Sequence, residues 1–154
     1  MRKYILPVLL CVVFFILPLQ IFIIGNNSGI GVQGAIYRYQ VSDYGTSFIL
    51  IPRDLTFVLD GTYSGRTALS VILWFLAAIL LACTTIFSLI HFDDFDLHYK
   101  GQILISLSIS CLFFLASCVA QYGIFFNGPA GISLPVGIGM ILIWIAFDRF
   151  VIQI

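Results

Sequence analysis

The sequence predicts an integral membrane α-helical protein, a four-transmembrane-helix bundle with a small extracytoplasmic antiparallel β meander between its first two helices. Three observations predict it. The 154 residues are 61% hydrophobic and 9% charged, where soluble domains run at about half and about a quarter. The charges are placed so that uncharged runs remain, each matching the roughly 20 apolar residues that a bilayer crossing needs. The one long polar stretch, 25–66, alternates with a strand period rather than a helical one.

Seven Lys and Arg meet seven Asp, with no Glu, so the net charge is zero. Nothing in that balance attracts nucleic acid, and a water-soluble globule is excluded.

The first span, about 4–24, follows Arg2 and Lys3. Its apolar stretch exceeds a signal-peptide core, and Ile24-Gly25-Asn26-Asn27 offers no A-x-A-like cleavage site. It reads as a retained helix, kinked at Pro7 and Pro18. The second span, 67–90, lies between Arg66 and His91, and the third is 102–126. Asn127-Gly128-Pro129-Ala130-Gly131 then breaks the chain, and a fourth span occupies about 132–152.

Basic residues in short flanks set orientation. Arg2, Lys3, Lys100 and Arg149 fall on one side, which makes both termini and the loop 91–101 cytoplasmic and places the protein in the cell membrane. The loop 25–66 is then extracytoplasmic. Tyr37, Tyr39 and Val41 alternate with Arg38 and Gln40 along 36–41, and Asp43-Tyr44-Gly45-Thr46 is a hairpin turn. Residues 47–51 return, and after Pro52-Arg53-Asp54 a third strand is expected over 55–59.

Candidate chemistry is sparse. His91, Asp94 and His98 follow i, i+3, i+7 and on a helical extension would present two imidazoles and a carboxylate to one metal ion. A solvated loop needs the same polarity without a metal. Cys11, Cys83, Cys111 and Cys118 all fall in predicted helices, with no CxxC, and read as small packing residues. Asp148 and Arg149 reach the inner interface by snorkelling. Ser106, Ser110, Ser117 and Gln121 form a small polar stripe suited to close helix packing, matched by Ala78, Ala82 and Thr85 on the second span. Triads, phosphate loops and HExxH are absent from the sequence, and no cofactor is expected.

Phe48, Ile49, Leu50 and Ile51 put apolar side chains on both faces of the middle strand. About forty residues cannot cover two faces alone, so Tyr37, Tyr39 and Phe48 to Ile51 are the candidate partner-binding residues, with Ile49→Asp the natural probe. The expected partners are the lipid bilayer and other membrane chains or further copies of this one. The leading function is a non-catalytic subunit or adaptor of a larger membrane assembly. The alternatives are an oligomeric channel or transporter component and a metal-dependent membrane enzyme using the 91–98 loop.

The plan of four spans, internal termini and a β-rich first external loop resembles that of claudin-type proteins. Those carry a Trp and a Gly-Leu-Trp pattern with two cysteines in that loop. Residues 25–66 contain neither Trp nor Cys, so no functional residue carries over.

Overall fold

A computed structural model describes residues 2–25, 28–91 and 97–152, with side chains described for 6–25, 28–91 and 99–146. In chain order the elements are α1 (Arg2–Phe15), β1 (Gln20–Ile24), β2 (Gly29–Gln33), β3 (Tyr37–Ser42), β4 (Gly45–Leu50), α2 (Ile51–Leu59), α3 (Gly65–Ile90), α4 (Leu97–Tyr122), β5 (Asn127–Gly128), β6 (Gly131–Leu134) and α5 (Val136–Ile152).

Among the described residues two helices, α3 and α4, are long and apolar enough to cross a membrane. They form an antiparallel pair, and the small polar stripe is what joins them. The Ser117 hydroxyl donates to the Ser70 carbonyl at 2.7 Å, Ser110 donates to the Ala77 carbonyl at 2.9 Å, and the Thr84 and Ser106 hydroxyls lie 2.6 Å apart. Side chains this small let the backbones approach, and each hydroxyl finds its partner across the seam. The hydrogen-bonded positions of α3 are Ser70, Ala77 and Thr84, a seven-residue repeat, and Ala78 and Thr85 of the expected stripe are buried as well. Trp74 and Phe114 fill the core beside it, edge to face at 4.7 Å.

The first apolar run is not one helix. Its helical part ends at Phe15, and residues 20–24 become the strand at the middle of the sheet. Pro18 has no donor for a helical bond and biases Leu17 toward extended backbone. Past it, Gln-Ile-Phe-Ile-Ile is a β-branched and aromatic run that fits a pleated surface. The fourth run divides likewise, with β6 preceding α5 and Pro135 between them.

The meander is larger than expected and turns differently. All pairings are antiparallel, in the order β4-β3-β2-β1-β6-β5. The Asp43-Tyr44 hairpin forms, with Ser42 paired to Gly45 and Gly45 at φ +119°. The third strand expected over 55–59 is instead part of the helix α2. Pro52 pre-sets a helical φ in the first turn, where its missing N–H costs nothing.

Candidate functional site

Pairing fixes which side chains share a face of the sheet, because residues directly opposite in a ladder point the same way. One row reads Leu134, Ile21, Val32, Tyr39, Phe48 from β6 to β4, and the next reads Ile132, Ile23, Ile30, Val41, Thr46. Tyr37 and Leu50 add a third pair on the same face. The opposite face carries Gln20, Phe22, Gly31, Gln33, Arg38 and Ser133.

Burial divides the same way. Gln20, Phe22, Gln33 and Ser133 are buried against the helices, while Ile30 is 53% exposed, Phe48 62% and Leu134 53%. The sheet is therefore inverted relative to a soluble one: its polar face is covered and its apolar face is open. No charged residue occupies an open-face position of the described strands. Five strands about 4.8 Å apart and about 3.3 Å per residue give roughly 400 Å², within the range of the largest apolar patch on a typical monomer.

Of the six residues expected to bind a partner, four share this open face. Tyr37 and Phe48 stack diagonally at 6.0 Å across β3 and β4, with Tyr39 and Leu50 beside them. Ile49 does not join them. It pairs with Arg38 and faces the other way. Ile51 is not a strand residue; it begins α2 and is buried in the helical core. The probe of this face is thus Phe48 rather than Ile49.

No family model matches this chain, and neither a curated protein nor a solved structure matches it.

Beneath the sheet, an ion pair ties it to α2. Arg38 Nη1 lies 3.2 Å from Asp54 Oδ2, and Arg38 Nε donates to Gln33 Oε1 at 3.3 Å. Asp54 is fully buried at 0% exposure. Burial pushes its carboxyl above the usual carboxylate value, and the Arg38 guanidinium opposes that without reversing it. The Tyr63 hydroxyl is pushed up by burial and then by the Asp54 charge, with Arg38 again opposing. This pair positions elements; it does not border the open face.

At the opposite end of the helices, the His91 ring sits 4.4 Å from Phe87 and 4.9 Å from Tyr99, and its Nδ1 is 3.2 Å from the Phe87 carbonyl oxygen. Asp94 lies outside the described residues, as does the His98 side chain. Among the described residues no group of three or more His, Cys, Asp or Glu is placed to hold a metal ion. The four cysteines are free thiols. Asp148 and Arg149 have no described side chains.

The open-face residues that sequence reasoning missed are Ile21, Ile23, Ile30, Val32, Ile132 and Leu134. Gly29-Ile-Gly-Val-Gln33 does carry the signal, since Gly, Gly and Gln alternate with two β-branched residues. The residues of β1 and β6 were hidden inside runs apolar enough to read as membrane helix.

Proposed function

We propose that this chain is a non-catalytic subunit or adaptor of a larger membrane assembly, crossing the cell membrane four times with both termini cytoplasmic, and that it binds a partner chain through the open face of its extracytoplasmic sheet. One observation carries the reading. The β2–β4 part of that face presents Ile30, Tyr39, Val41 and Phe48 outward while Gln33 and Arg38 are turned in. Burying an Ile or Phe side chain stabilises by about 1.5–3 kcal/mol, so a protein surface laid over this row gains where water does not. Within the sheet, Gln20, Gln33, Arg38 and Ser133 lie on the covered face, which supports a docking role for the open face over a catalytic one.

A photo-crosslinking amino acid placed at Phe48 or Val41 in intact membranes tests this. One discrete heavier adduct at these positions, absent with the same group at Arg53, is the expected result. Adducts of no defined mass at either position would refute the docking role.

A further inference from the structure

The described helical parts of α1 and α5 are too short to cross a bilayer alone. Fourteen residues of α1 rise about 21 Å and seventeen of α5 about 26 Å at 1.5 Å per residue, against a hydrocarbon core of about 30 Å. What completes them is extended chain. Ile16 and Leu17 still bond to the Val12 carbonyl and add about 3 Å of helical turn, Pro18 and Leu19 add about 7 Å of extended chain above them, and Leu134-Pro135 adds about 7 Å above α5.

Hydrogen bonds fix the depth of this extended chain against the long helices. Trp74 Nε1 donates to the Gly34 carbonyl at 3.1 Å, which places the β2–β3 turn level with Trp74. That is seven residues, about 10 Å, inside the uncharged run that begins at Thr67. Cys118 Sγ lies 3.4 Å from Gln20 Oε1, so β1 starts level with Cys118, four residues or about 6 Å below the outer end of α4. Centring about 30 Å of hydrocarbon on residues 67–90 of α3 puts the outer boundary near Leu69. The foot of the sheet then lies at that boundary, and the β2–β3 turn lies below it.

Non-helical backbone is tolerated at such depth only where protein satisfies it, and the protein supplies partners to several of these groups. The Leu19 N–H donates to the Gln33 carbonyl at 2.9 Å, and the Leu19 carbonyl accepts from Gly137 and Ile138 at 3.1 and 3.3 Å. The Tyr37 hydroxyl donates to the Ile16 carbonyl at 2.9 Å. Gly34 N–H donates to the Tyr37 carbonyl at 2.8 Å, and Ile51 N–H to the Ile36 carbonyl at 2.9 Å.

The outward surface is continuous as well. Val12, Phe15 and Ile16 lead up to Ile21, and Met140 and Val136 lead up to Leu134, all apolar and, apart from the half-buried Ile21, exposed. Between the two helices, a groove of about 260 Å³ is lined by Val12, Val13, Leu17, Met140 and Trp144.

We infer that the corner of the sheet formed by β1 and β6 is a lipid-contacting surface, so that α1–β1 and β6–α5 are composite helix–strand crossings whose strand feet, Ile21 and Leu134, rest against outer-leaflet acyl chains. The inference rests on the membrane reading above but needs no partner chain. It assigns the two ends of the open face to different media: lipid at β1 and β6, protein at β3 and β4. The occupant of the corner is lipid because its depth, its lack of charge and its continuity with the α1 and α5 surfaces all match the hydrocarbon boundary.

Spin-label accessibility on the purified protein in phosphatidylcholine vesicles tests it. Cys11 and Cys83 are replaced by Ala, and labels are placed singly at Leu134→Cys, Ile21→Cys, Tyr44→Cys and Ile79→Cys. Tyr44, 97% exposed at the hairpin tip, reports water, and Ile79, midway along α3, reports hydrocarbon. The expected oxygen-to-nickel accessibility ratio at Leu134 and Ile21 is within about twofold of that at Ile79 and roughly tenfold above that at Tyr44. Ratios at Leu134 and Ile21 matching Tyr44, with Ile79 still in lipid, would overturn the composite crossings and leave the adaptor reading standing. A water-like ratio at Ile79 would overturn both.

Discussion

Arg38 and Asp54, 3.2 Å apart under the sheet, are the one ion pair joining β3 to α2 among the described residues, and burial weights its two members unequally. Asp54 is held above its ordinary value of 3.8 because desolvation outweighs the Arg38 charge. The neutral form of residue 54 is therefore favoured by folding. Asp54→Asn is expected to be nearly neutral in stability, while Arg38→Met strands a buried carboxylate and costs about 3–5 kcal/mol. Reversible unfolding in mixed micelles measures both.

The same shift sets a pH dependence. Because the folded carboxyl binds its proton more tightly than the unfolded one, the Asp54 contribution is greatest below pH 3.8 and falls as pH rises through the raised value, then levels off. Hydrogen exchange of the α2 amides is expected to slow as pH is lowered into that window, after correction for intrinsic exchange. Asp54→Asn should flatten the profile. An unchanged slope in the variant would remove Asp54 as its source.

Two glycines near the start of α5 separate close approach from helix propensity. A β-carbon at Gly137 would meet the backbone of Pro18 and Leu19, while one at Gly139 meets nothing within 4 Å. Gly137→Val is expected to cost about 1–3 kcal/mol by prising α5 from the foot of β1, and Gly139→Ala to gain about 0.5–1 kcal/mol. Thermal midpoints in one detergent should move in opposite directions.

Trp74 joins the helix pair to the sheet through a single donor. Trp74→Phe keeps most of the packing on Phe114 but leaves the Gly34 carbonyl without its side-chain donor, at about 1–3 kcal/mol. Faster exchange confined to the β2–β3 turn is the expected signature; uniform loss across α3 and α4 would instead indicate a packing defect.

The α3–α4 seam should respond to size more than to polarity. Ser117→Ala removes the hydrogen bonds to the Ser70 carbonyl and to the Ser70 hydroxyl and is expected to cost about 0.6 kcal/mol for each. Ser117→Leu forces the backbones apart and costs about 1–3 kcal/mol. Unfolding of both variants in one micelle composition would show the order.

Much of this was legible in the sequence where one physical requirement acted alone. Arg66 and His91 mark the two ends of the apolar run that becomes α3, and the Ser106–Ser110–Ser117 spacing marked the seam because small polar groups suit close helix approach. The Tyr37–Val41 alternation and the Asp43-Tyr44 turn marked the β3–β4 hairpin. Legibility failed where two requirements call for the same residues. Gln20–Ile24 is apolar enough for lipid and branched enough for a strand, and hydropathy does not separate the two. Residues 55–59 are short and mixed, so the Pro52 helix start decides them. The direction of Ile49 followed from register, which depends on pairing beyond β4 itself.

The most direct test of the docking role is the native mass of the complex extracted in a mild detergent from membranes carrying the wild-type chain or Phe48→Asp. The expected result is a stoichiometric partner with the wild type that is missing with Phe48→Asp, while both remain membrane-inserted. A lone monomer in both, or the same partner retained by both, would contradict the account.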